Sequence, residues 1–268
     1  MDKHVLTNLN QLKKLFIQNL KENLVGIYIH GSIAYDCFNE NFSDIDLIIV
    51  VRKEVTREQK ISILKGILNL WDSFPKKGVE FSVVKEENCL DIKYPIPYEL
   101  HFSENWLDIY KQNIELIIND DFKDDWDLVT YFKLLYSRGL VLYGPPIEKV
   151  FSSVPDYSYV KSIYIDIKGS EKELESAPES TILNLCRVLS FIYEGKILSK
   201  KESGEWCIEK KIINNVTEVY NIVQAYSGCN YMINSYEVNL SLYKQLFGKI
   251  EEFLSESREY KSIVTELT

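Results

Sequence analysis

Apolar positions along this chain recur first at helical spacing, then in short continuous runs, then at helical spacing again. Val5, Leu6, Leu9, Leu12, Leu15, Phe16 and Leu20 predict an amphipathic helix over residues 5–22 that covers a sheet. Val25-Gly26-Ile27-Tyr28-Ile29 and the run from Asp46 to Val51 have the composition of buried strands and predict neighbours in one sheet. Thr56 and Gln59 stand at capping-box spacing before Ile61, Leu64, Ile67, Leu68 and Trp71, so a second helix follows. Val79 to Val84 alternates like a strand, which sets Glu80 and Phe81 on opposite faces. Glu86 and Glu87 then read as a polar turn, and Pro95 and Pro97 make residues 91–97 loop or edge. Asp125-Trp126-Asp127 precedes a helix predicted over 128–138 and is placed to cap it.

A Gly/Pro cluster from Gly144 to Pro155 interrupts this pattern. We place a domain boundary there, with residues 1–150 as one domain and 151–268 as a helical second one. In the latter, Pro178 opens a helix whose apolar stripe is Ile182, Leu185, Cys186, Leu189, Ile192 and Tyr193, and Gly195 stops it. Arg187 lies off that stripe, and Lys196, Ser199 and Lys200 follow directly.

The chemistry gathers where the first two strands meet. The first ends in Gly31-Ser32, and the second begins at Asp44-Ile45-Asp46. Residues two apart on a strand share a face, so Asp44 and Asp46 project together, and a divalent cation relieves their repulsion. Carboxylate oxygens suit Mg²⁺, which can hold phosphoryl oxygens. Gly31 lets backbone approach a phosphate and Ser32 adds a hydroxyl and an N–H, so the combination reads as a Mg-nucleotide site.

Charge narrows the partners. Lys and Arg number 31 against 40 Asp and Glu, a net charge of −9, which argues against nucleic acid and favours a cationic small molecule. Cys37, Cys89, Cys186, Cys207 and Cys229 are scattered, without metal-ligand spacing, as in a reduced cytoplasmic protein. The segment after Met1 is amphipathic, not a signal peptide, and no apolar run reaches the roughly 18–20 residues that span a bilayer. A monomer that does not engage membranes is expected.

Gly31-Ser32 followed by Asp44-Ile45-Asp46 resembles the nucleotidyltransferase superfamily of the DNA polymerase β type. Glu80-Phe81-Ser82-Val83-Val84, Tyr94-Pro95, Trp106-Leu107, Asp125-Trp126-Asp127, Leu142-Tyr143-Gly144, Leu185-Cys186-Arg187, the run Gly195 to Lys200 and Trp206 resemble, in order, the aminoglycoside adenylyltransferases that modify streptomycin and spectinomycin. The similarity spans roughly residues 20–210. It implies an α/β nucleotidyltransferase domain with a mixed sheet followed by an α-helical domain, and AMP transfer from ATP, with Mg²⁺, to a hydroxyl of a cationic aminocyclitol.

By the same resemblance Asp44 and Asp46 hold metal, Glu80 is the general base, and Gly31, Ser32, Arg187, Ser199 and Lys200 bind the nucleotide. Arg187 and Lys200 would meet the leaving phosphates across a cleft between the domains, and Trp106 would wall the acceptor. Where streptomycin-modifying members carry a Trp and an Asp this chain has Lys168 and Glu173, and Ala177 falls where members carry an acid used for both drugs. Glu175 and Glu179 stand two residues to either side. Spectinomycin is therefore expected over streptomycin. The open alternatives are a nucleotidyltransferase for another metabolite or a protein side chain, or a nucleotide-binding regulatory module without turnover.

Overall fold

The computed structural model describes residues 3–115, 124–214, 216–229 and 234–267. The chain divides into two compact units, Met1–Val154 and Pro155–Thr268.

In the first unit, α1 (Lys3–Leu20) leads through a short 3-10 turn to β1 (Leu24–Ile29). A single helical turn, α2 (Gly31–Ala34), follows, then β2 (Ile45–Val51), α3 (Arg57–Leu70), β3 (Val79–Lys85) and α4 (Glu86–Leu90). Next come β4 (Ile96–Pro97), β5 (Leu100–Phe102), α5 (Leu107–Gln112), β6 (Asp124–Asp125), α6 (Asp127–Arg138), β7 (Leu140–Tyr143) and α7 (Ile147–Val150). Five strands form one sheet in the order β5-β3-β2-β1-β7. β2 and β3 run parallel, and the other pairs are antiparallel, so the sheet is mixed as expected.

The strand alternation sorts this sheet into an oily face and a polar one. Ile27, Ile29, Leu47, Ile49, Phe81 and Val83 share one buried cluster with Leu9, Leu12 and Phe16 of α1 and Ile63, Leu64 and Ile67 of α3. Each such side chain contributes roughly 1.5–3 kcal/mol when fully buried, so this layer anchors the strands. The Thr56 capping box forms as the sequence indicates: Thr56 Oγ1 accepts from Gln59 N and Gln59 Oε1 accepts from Thr56 N. The alternate residues, Asp46, Glu80 and Ser82 among them, point to the other face. There α6 supplies Tyr131 and Phe132, and Tyr28, Phe132 and Phe151 pack edge to face.

Two local expectations change. Glu86 and Glu87 form the first turn of α4 instead of a polar turn, where acidic side chains complement the N-terminal end of the helix. Asp125 acts from just before α6, its Oδ1 accepting from Asp127 N at 2.8 Å, while Trp126 occupies the cap position with no side-chain bond.

The second unit is helical: α8 (Asp156–Ile167), α9 (Pro178–Glu194), α10 (Lys200–Glu209), α11 (Val216–Tyr226), α12 (Tyr236–Glu256) and α13 (Lys261–Leu267). α9 carries Pro178 in its first turn and ends at Gly195, whose φ of 66° only glycine adopts without strain. It packs against α8, α10, α11 and α12. Leu183, Val188 and Phe191 are therefore buried beyond the expected stripe, whereas Tyr193 is 45% exposed and lies outside it. The cysteines are all free. No described helix is long and apolar enough to cross a membrane.

Candidate active site

Asp46 and Glu80 are direct neighbours across the parallel β2/β3 ladder, and Asp44 stands one residue before β2. Each of the three offers an oxygen within 4.8 Å of the other two. Such a hard oxygen set fits Mg²⁺.

The turn after β1 is built against this cluster. Gly31 adopts φ +62°, and a Cβ there would collide with the Asp46 carboxylate, so glycine is required by both backbone and space. Ser32 follows with its Oγ buried and without a hydrogen-bond partner. A buried hydroxyl left unpaired costs roughly 1–3 kcal/mol, a cost that a bound oxygen ligand would remove. The residues present thus fit a metal–nucleotide pair.

Glu80 differs from its neighbours in its electrostatics. Burial, opposed by a hydrogen bond from Tyr131 and reinforced by Asp44, Asp127 and Asp125, pushes its carboxyl up to about 7. Tyr131 Oη donates to Glu80 Oε1 at 2.8 Å. The Tyr131 ring stacks on His30, centroids 4.7 Å apart and planes 28° from parallel. On the same face, Ser82 pairs in register with His101, and Ser82 Oγ lies 2.9 Å from His101 Nδ1. Tyr131, Ser82 and His101 escaped the sequence reading, and His30, beside the Gly31-Ser32 turn, was given no role there. The alternation that marked Glu80 also marks Ser82, but nothing local points to Tyr131 or His101.

His30 carries a testable consequence. It is 2% exposed, and desolvation by burial lowers it from 6.5 to about 3. Below pH 6.5 the unfolded chain takes up a proton that the folded one refuses, so stability falls as pH falls through the window from 6.5 to 3. The slope from this residue is about 1.4 kcal/mol per pH unit. Glu80, raised to about 7, contributes the opposite slope between 7 and 4.5. Urea denaturation of wild type and His30→Phe across the His30 window is therefore expected to show the His30 slope as the difference between the two.

The remaining candidates fall in three places. Trp106 ends a 3-10 turn before α5 and is 47% exposed, a surface indole instead of a core one. In the second unit, Lys200 Nζ donates to Ser180 Oγ at 3.1 Å and Arg187 Nη1 to Asn184 Oδ1 at 3.4 Å. Asp166 joins this group: its side chain reaches solvent, yet surrounding protein desolvates it and raises its carboxyl, while Arg187 and Lys200 pull it back down. Ser199 is the N-cap of α10, its Oγ accepting from Glu202 N at 3.2 Å and its N donating to Glu202 Oε2. Glu179 lies in the first turn of α9, and Glu175 is exposed ahead of it.

A mixed sheet presenting paired aspartates beside a Gly-Ser turn defines a nucleotidyltransferase, and a nucleotidyltransferase-domain model matches residues 9–135. A second model, the aminoglycoside adenylyltransferase C-terminal domain, matches residues 149–231. The chain thus carries a nucleotidyltransferase domain followed by an aminoglycoside adenylyltransferase C-terminal domain.

It is 24% identical over 242 residues to a spectinomycin 9-adenylyltransferase of Enterococcus faecalis, covering 87% of this chain and 92% of that protein. To an aminoglycoside (3'') (9) adenylyltransferase of Klebsiella pneumoniae it is 25% identical over 230 residues, covering 84% and 86%. A solved enterococcal spectinomycin adenyltransferase, crystallised with ATP and spectinomycin, superposes with TM-score 0.75 at 21% identity, covering 90% of this chain and 99% of that one.

Proposed function

We propose that this enzyme transfers AMP from ATP to a hydroxyl of an aminocyclitol antibiotic, spectinomycin before streptomycin, and thereby confers resistance. The observation that carries the reading is the convergence of Asp44, Asp46 and Glu80 on one point beside the Gly31-Ser32 turn. The ATP and spectinomycin of the enterococcal structure support the choice of donor and acceptor.

Asp44 and Asp46 would hold Mg²⁺, which when bound would offset the charge of the triphosphate. Gly31 and Ser32 grip the triphosphate. Glu80 takes the proton of the acceptor hydroxyl as the new O–P bond forms at the α-phosphorus and the bond to pyrophosphate breaks. Arg187 and Lys200 steady the charge on the leaving pyrophosphate. Ser199 serves Lys200 by fixing the start of α10.

Recognition of the acceptor follows from charge. Asp44, Asp125 and Asp127 all act on Glu80, and such a concentration of acid draws a cation. The exposed face of Trp106 suits an amine, and Glu175 and Glu179 are further partners for one. The absence of a tryptophan at Lys168 underlies the preference for spectinomycin.

Pyrophosphate release by the purified protein with ATP and Mg²⁺ tests this reading. Release is expected with spectinomycin, weakly with streptomycin and at background without acceptor. Efficient release with streptomycin alone would overturn the preference, and release with neither drug would overturn the choice of acceptor.

A further inference from the structure

We propose that Tyr131 is a positioning residue for Glu80, and that its stack on His30 ties the base to the turn that grips the nucleotide. The inference rests on the reading of Glu80 as the base, and deepens it.

Three carboxylates within 4.8 Å of one another repel. Glu80 is half-buried and its side chain has several rotamers. Without metal, repulsion from Asp44 and Asp46 would swing it away, and with metal bound by the aspartates its direction is still unset unless something holds it. Among the described residues, Tyr131 is its one hydrogen-bond donor, at 2.8 Å to Oε1. That bond fixes one oxygen and sets the direction of the other. A base must face its hydroxyl within a fraction of an ångström, so the donor acts on rate through Glu80.

The tyrosine is itself held. His30 is buried immediately before Gly31, and its backbone N donates to Asp46 O at 3.2 Å, tying it to β2. Its ring lies against that of Tyr131 in a stack, 4.7 Å between centroids. A displacement of the Gly31 turn therefore passes through two packed rings to the Glu80 carboxylate. The helix α6 that carries Tyr131 contacts α2 directly, which gives the same route a second support.

Tyr131→Phe keeps the ring and its stack while removing the hydroxyl, so the variant is expected to melt within a few degrees of wild type. Turnover of wild type, Tyr131→Phe, Glu80→Gln and the double variant is then compared, with crystal structures of the first two. The expected result is a kcat about 10- to 100-fold lower in Tyr131→Phe, the size of one hydrogen bond to a charged group, with KM for ATP changed less than about threefold.

In the Glu80→Gln background the same change is expected to have little further effect, because no carboxylate remains to be aimed. A structural role would lower both backgrounds alike. The crystals are expected to show Glu80 in one rotamer in wild type and displaced in the variant. A kcat within twofold of wild type, equal losses in both backgrounds, or an unmoved Glu80 would each overturn the proposal. If wild type turns over no acceptor, the reading of the site fails separately, and the position of Glu80 in the two crystals still decides the role of Tyr131.

Discussion

Replacing Glu80 with glutamine is expected to lower kcat by about 10²–10⁴-fold, the usual contribution of a positioned general base. ATP binding should stay close to wild type. The amide has nearly the shape of the acid and still accepts the Tyr131 hydrogen bond, but it cannot take a proton. Asp44 and Asp46 remain to hold the metal, and neither Gly31 nor Ser32 is disturbed. Steady-state kinetics with calorimetric titration of ATP separates the two effects. Loss of ATP binding in step with turnover would instead make Glu80 a metal ligand first, consistent with its place in the three-carboxylate cluster.

Gly31→Ala is expected to be nearly as damaging, for a reason that has nothing to do with proton transfer. Its backbone stands at φ +62°, where an L-residue pays roughly 1–2 kcal/mol. The added methyl also points at the Asp46 carboxylate. Either the turn shifts away from the phosphates or Asp46 shifts away from the metal. Misplacement of about 1 Å at such a site costs on the order of 100-fold in rate. Turnover should fall by about that factor and KM for ATP should rise, while the sheet, anchored on its other face by α1 and α3, stays folded. Circular dichroism and kinetics check the two halves together. A variant with wild-type kinetics would show that the turn does not bear on the site.

The sequence made some of this architecture legible because the signals are local. Thr56 and Gln59 sit three apart and form the box that their spacing indicates. Pro178 and Gly195 bound their helix for equally local reasons, one pre-setting φ and the other reversing it. Asp44 stands one residue before β2 and Asp46 lies on it, so their partnership needs only a spacing of two in extended backbone.

What escaped depends on register and packing between distant segments. The pairing of Asp46 with Glu80 is set by how β3 aligns beside β2, and no local pattern encodes that alignment. Tyr131 looks like any aromatic on an amphipathic helix until α6 is laid over the polar face of the sheet. The same holds for His101, which meets Ser82 only once β5 pairs with β3. In the second unit, a helix enclosed by four neighbours buries residues all round, so reading α9 as a single stripe missed Leu183 and Val188 and wrongly included Tyr193.

The central claim is that the bond broken lies at the α-phosphorus and that the drug receives AMP. It is tested most directly by incubating the protein with Mg²⁺, spectinomycin and ATP labelled at either the α- or the γ-phosphorus, and weighing the modified drug. The account predicts label from the α-position in a product heavier by one adenylyl group, with γ-label leaving as pyrophosphate. A product carrying γ-label and heavier by a phosphoryl group alone would contradict it.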